Sequence, residues 1–143
     1  MIMKNLKYLF FAGALMSSVV FTSCNNDDEE IVIEYASKLA GDFEGSEDCN
    51  GDVVGPYLMH IYNTADDENM VWVEGIWDYA PRVKATVNSD NSFTVPGQQV
   101  VVSGDTFNIV SGTGNLNGQD LVFDFQIDYH GDVYSCEFKG TRH

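Results

Sequence analysis

Cys24, Cys49 and Cys136 are the residues of this chain best suited to covalent or metal chemistry, and their surroundings decide among a bridge, a metal site and an attachment point. A zinc site needs three or four convergent Cys or His ligands. His60, His130 and His143 stand singly and far apart, so a metal site is not expected. Nucleophilic catalysis needs an activated nucleophile beside a base, and no Gly-x-Ser-x-Gly elbow is present. Ser111-Gly112-Thr113-Gly114 reads as strand and turn, and His60 falls mid-strand between Leu58 and Tyr62, where an imidazole on a wall is commoner than a catalytic base. Glu47 and Glu74 would suit paired-carboxylate hydrolysis only from opposing walls; solvated charge near turns is the simpler reading. Asp48-Cys49-Asn50-Gly51-Asp52 has the composition of a calcium loop without its ordered spacing or distant Glu. Asp66, Asp67 and Glu68 form a loop tip. No catalytic residue, metal or cofactor is therefore expected.

Cys24 has a different setting. Lys4 and Lys7 precede the apolar run YLFFAGALMSSVVF, and the small residues Thr22 and Ser23 follow it, which is the order of a secretory signal peptide. The run is shorter than the roughly 20 apolar residues of a bilayer-spanning helix. A cysteine placed directly after it resembles the lipobox of bacterial lipoproteins, with Phe21 where Leu is usual. That resemblance implies acylation of Cys24 and attachment to outer-membrane lipid. The acidic stretch from Asn25 to Glu30 resembles the surface-export signal of Bacteroidetes lipoproteins and also reads as a solvated tether. Residues 1–23 are thus expected to be the signal, 24–30 the lipidated Cys and tether, and 31–143 one domain. Once Lys4 and Lys7 leave with the signal, five basic residues face 22 acidic ones, a balance of −17. Such a surface repels phosphate backbones, so nucleic acid is excluded as a partner, and it favours a monomer.

The elements that must position these side chains are legible from periodicity. EEIVIEYASKLAG carries Ile31, Tyr35 and Leu39 at helical spacing and predicts one short helix. From residue 39 the period becomes two. Eight runs follow: LAGDFEGSEDC, YLMHIYN, NMVWVEGIW, RVKATVN, SFTVPGQQVVV, TFNIVSGTG, QDLVFDFQIDY and DVYSCEFKGTR. Turn sequences such as NSDN, NLNG and HG separate them. Eight short strands in succession predict an all-β, antiparallel up-and-down barrel, which removes exposed sheet edges.

Register tests that closure. A two-residue loop at His130-Gly131 pairs Ile127 with Tyr134, Phe125 with Cys136 and Phe123 with Phe138. If the last strand closes on the first, pairing Cys49 with Cys136 also sets Gly45 against Gly140 and Phe43 against Arg142. In an exported protein such a pair reads more often as a disulfide than as a metal site; two buried thiols are the alternative.

Gly41-Asp42-Phe43 on the first strand, with Arg142 at the end of the last, resembles the calycin signature, in which an aromatic of strand one packs beneath a late arginine. Phe43 stands where that signature has tryptophan. The order of signal, lipobox, acidic tether, short helix and eight-stranded meander is similar to the small calycin-like lipoproteins of Bacteroidetes, a group whose label pairs lipid binding with an unassigned hydrolase activity. The resemblance implies a lipocalin-like barrel binding a small apolar or lipid-like ligand, and it brings no catalytic residues. Phe43, Trp72, Phe123, Phe125, Tyr134 and Phe138 would line or fill its interior, with Arg142 available to an anionic headgroup. Alternation leaves open which face of Trp72 and which of Phe107 points inward. A second reading is a packed barrel that recognises glycans or neighbouring surface proteins through Tyr57, Trp77 and Tyr79 near strand ends; a third, hydrolysis of a lipid-like substrate, rests on the family label.

Overall fold

A computed structural model describes residues 35–64, 69–79, 82–89 and 91–143. Cys24, the signal, the tether, Ile31 and the Asp66–Glu68 tip lie outside the described residues. Nine strands follow a helical turn over residues 35–39: β1 (Gly41–Cys49), β2 (Asp52–Asn63), β3 (Met70–Glu74), β4 (Arg82–Ser89), β5 (Ser92–Val95), β6 (Gln98–Val102), β7 (Asp105–Asn117), β8 (Asp120–Tyr129) and β9 (Asp132–Arg142). All pairings are antiparallel. The sheet runs β5-β4-β3-β2-β1-β9-β8-β7-β6 and closes through an additional β5–β7 pairing.

Nine strands nevertheless make an eight-stranded barrel. Ser92 faces Asn115 and Gln98 faces Ile109, so β5 and β6 keep one register against β7. Pro96 and Gly97 interrupt that line because proline has no N–H to give the ladder. The run SFTVPGQQVVV is therefore one strand position broken in the middle.

The seam closes as the spacing predicts. Phe43 pairs with Arg142, Gly45 with Gly140 and Cys49 with Cys136. The HG hairpin likewise sets Ile127 against Tyr134 and Phe123 against Phe138. Cys49 and Cys136 form a disulfide with Cα atoms 4.1 Å apart.

Inside, the barrel is full. Phe43, Phe93, Phe123, Phe138, Met59 and Ile127 have no accessible surface, and a void large enough for water would leave some on its walls. The rings fit because glycines make room for them. A Cβ on Gly114 would lie 2.0 Å from the Phe93 ring and one on Gly112 would lie 2.8 Å from Phe123. The SGTG segment, read from sequence as strand and turn, lies wholly within β7, and its glycines are sockets for aromatic rings.

Leu39 and Ala36 of the helical turn are buried and plug one end. There the Arg142 guanidinium lies 5.2 Å from the Phe43 ring and donates from Nη2 to the Lys38 carbonyl at 2.7 Å. Arg142 thus caps the closed end.

One interior assignment is corrected. Val71 and Val73 point inward, so Trp72 faces outward, with Arg82 4.6 Å and Lys84 5.2 Å from its ring centre. Trp72 is the outer partner of two cations and contributes nothing to the interior. Phe107 and Ile109, whose face was open, are both buried.

Candidate functional site

The end opposite Arg142 is built from aromatic side chains. β3 stops at Glu74 because Gly75 adopts φ 101°, and the chain then turns through a short 3-10 segment, Ile76–Asp78. Ile76 is buried, while Trp77 and Asp78 hold left-handed backbone at φ 63° and 52°. Such conformations are uncommon without glycine and persist only where the surroundings enforce them. Here the Trp77 N–H donates to Glu47 Oε2 at 3.0 Å, which ties the turn to the barrel wall.

Trp77 therefore lies across the mouth. Its ring meets Phe107 edge-on at 5.8 Å, Tyr129 edge-on at 5.4 Å and Tyr134 tilted at 5.3 Å. Phe107 stacks on Tyr129 at 4.9 Å, and Tyr79 leans on Phe107 at 5.6 Å. Between them is an open cleft of about 420 Å³ lined by Val54, Trp77, Asp78, Tyr79, Phe107 and Tyr129. Tyr79 is 54 % exposed, and Trp77 and Tyr129 are half-buried, so three aromatic rings are reachable from solvent. A broader depression of about 560 Å³ on the outer wall is lined by Asp48, Asp124 and Glu137 with Phe125 as its one aromatic.

Beneath Trp77 lies Glu47, which has no accessible surface. Its Oε2 also accepts from the Tyr57 hydroxyl at 2.5 Å, and its Oε1 is 3.1 Å from Cys49 Sγ. A disulfide sulfur has no hydrogen to give. The Oε1 contact is therefore a hydrogen bond only if Glu47 carries the proton, which agrees with the raised pKa of its carboxyl. Burial is the main cause, with Asp78 adding to it and the bonds from Tyr57 and Trp77 opposing it. Burial and the neighbouring Glu47 push the Tyr57 phenol upward as well. Glu47, Cys49 and Cys136 converge within 4.8 Å, but the disulfide consumes both sulfurs.

The direction of the Glu47 shift sets a pH dependence. The folded state holds this proton more tightly than the unfolded chain does, so stability falls as pH rises from 4.5 through the raised value. Glu47→Gln keeps an oxygen for Tyr57 and Trp77 and offers an N–H toward Cys49 Sγ. Its thermal midpoint is expected to lose this fall, so that the parent's advantage over the variant shrinks as pH rises above 4.5. A parent advantage that instead grows as pH rises would show that the fold favours the ionised carboxylate.

Of the residues expected to meet a ligand, Phe43, Phe123, Phe125 and Phe138 are core, Trp72 is outside and Arg142 caps the closed end. Tyr134 alone reaches the mouth, under Trp77. Of the strand-end aromatics, Trp77 and Tyr79 line the cleft and Tyr57 lies against Glu47, while Phe107 and Tyr129 complete the lining. Glu47 reads in sequence as solvated charge near a turn; the partners that hold it in the barrel, Tyr57 and Trp77, are 10 and 30 residues away. His60 bonds Asp42 at 2.7 Å and Glu74 accepts from Tyr62 at 2.9 Å, both away from the mouth.

No protein-family model and no curated protein matches the chain. Among solved structures, a Bacteroides fragilis protein described as a "putative outer membrane protein" superposes with a TM-score of 0.51 at 9% identity, over 77% of this chain and 53% of its own. The chain thus spans about half of that protein's length. EF1p2_mFAP2b, solved bound to DFHBI, gives 0.51 at 12% identity over 78% of this chain and 99% of its own. A redesigned β-barrel, b11L5F_LGL, gives 0.48 at 11% identity, over 77% of this chain and 96% of its own. At these identities the likeness is one of fold.

Proposed function

We propose that this protein is a lipid-anchored barrel of the outer membrane surface that binds a small apolar or amphipathic ligand, without chemistry, at its aromatic mouth. The carrying observation is the cluster of Trp77, Tyr79 and Tyr129 left reachable above a filled core. Filling moves the expected ligand from the barrel's interior to its rim. Rim burial of aromatic surface at about 25 cal/mol per Å² supplies the affinity. Val53, Val101 and Val133, on the hairpins at this end of the barrel, are each more than half exposed on its outer wall. The barrel fold is shared with the structure solved bound to DFHBI and with the Bacteroides fragilis protein. Acylated Cys24 supplies the anchor in this reading, and Cys24→Ser is expected to abolish incorporation of labelled fatty acid into the protein.

The exposed Tyr79 favours one competing reading, recognition of glycans or neighbouring surface proteins. Native mass spectrometry of the unacylated Cys24→Ser chain, offered fatty acids and non-ionic amphiphiles, separates the two. An apolar adduct is expected, with affinity falling about tenfold or more in Trp77→Ala. Absence of any adduct together with a glycan-induced shift of Trp77 emission would establish the competitor.

A further inference from the structure

The cleft has a charge as well as a shape. Asp78 is the one ionisable carboxylate among its lining residues, and no Lys or Arg lines it. The five basic residues among those described are engaged elsewhere. Lys38 lies over Tyr35, Arg82 and Lys84 over Trp72, Lys139 against Glu137, and Arg142 over Phe43 at the closed end. Around the cleft further acid gathers. Asp105 is close enough to Tyr129 to act with burial in raising its phenol pKa, and Asp132 pairs with Tyr129 in the hairpin register. An anionic headgroup would meet carboxylates here and, among the described residues, no Lys or Arg. An organic cation would meet the partly exposed rings of Trp77 and Tyr79 beside Asp78, an arrangement of the kind that binds quaternary ammonium groups. Tyr129, by contrast, is stacked on Phe107 and has the His130 ring 4.1 Å away.

We propose that the mouth selects a cationic amphiphile, an ammonium-type headgroup on an apolar body, seated against Trp77, Tyr79 and Tyr129 with Asp78 as its charge partner. This rests on the mouth being the binding site, and it adds the sign of the ligand. Arg142, the residue suited to an anionic headgroup, is excluded from the choice by its place at the opposite end.

Trp77 is a built-in reporter. The chain has two tryptophans, so Trp72→Phe in the unacylated Cys24→Ser chain leaves Trp77 as the emitter. Dodecyltrimethylammonium, dodecyl maltoside and dodecyl sulfate share one tail and differ in headgroup charge; each is titrated below its micelle concentration. The cation is expected to bind about tenfold tighter than the maltoside, and the sulfate more weakly than either. Asp78→Asn, a residue that tolerates the left-handed backbone found there, is expected to reduce the cation's advantage to about threefold or less. Circular dichroism checks that the variant is folded. Equal binding of cation and maltoside would overturn the selectivity while leaving the mouth as the site. So would an advantage that Asp78→Asn leaves intact, because it would then come from the acidic surface at large. No shift of Trp77 emission with any of the three would overturn the site itself.

Discussion

Replacing Cys49 and Cys136 together with alanine is expected to lower the unfolding free energy by about 4–5 kcal/mol, a third or more of the stability of a typical domain. The bridge joins residues 87 apart, so it removes a long loop from the unfolded ensemble. It also ties β1 to β9, the seam where the barrel closes. Both sulfurs are buried, so their loss leaves small voids that add to the cost. Urea unfolding of the oxidised parent and the double-alanine chain gives the difference directly. A loss under about 1 kcal/mol would mean that the unfolded state is already compact enough to hold the ends together.

The seam and the bridge were legible in the sequence because a two-residue hairpin leaves little freedom. Once His130 and Gly131 are the loop, every pairing between β8 and β9 follows, and the alternation of Leu121, Phe123, Phe125 and Ile127 says which side is buried. The strand-end aromatics were legible as rim residues for a similar reason: polar turn residues bracket them. Trp72 was not. Its alternation is sound over β3, but it carries no sign of which face is inside. The deciding contacts come from Arg82 and Lys84 on the next strand, across a loop whose length does not appear in the pattern. A filled interior was equally hidden. A sequence shows Gly112 and Gly114 as small residues, whereas the rings that occupy their space belong to β8 and β5. Glu47 looked like a surface charge because only closure of the barrel brings Trp77 over it. Three-dimensional partners from distant strands are what alternation cannot supply.

Gly45→Ala is expected to cost at least about 3 kcal/mol and to open the same seam from its middle. A Cβ built on Gly45 would lie 2.1 Å from the Lys139 carbonyl oxygen and 2.4 Å from Gly140 Cα. Those are backbone atoms of the paired strand, so no side-chain rotation relieves the overlap and β1 must move away from β9. Gly118→Ala is the control. Gly118 has φ 64° in the β7–β8 turn and open space around its Cβ position, so alanine there costs only the left-handed backbone, about 1–2 kcal/mol. If the two variants unfold alike, the strands at Gly45 part without loss and close approach is not what the glycine provides, since its backbone is one that any residue adopts. If Gly45→Ala falls well below Gly118→Ala, steric fit at Gly45 and Gly140 sets the approach of the strands. The same pairing then brings Cys49 within bonding distance of Cys136 and positions Glu47 under Trp77, so the geometry of the mouth depends on a missing methyl group at the seam.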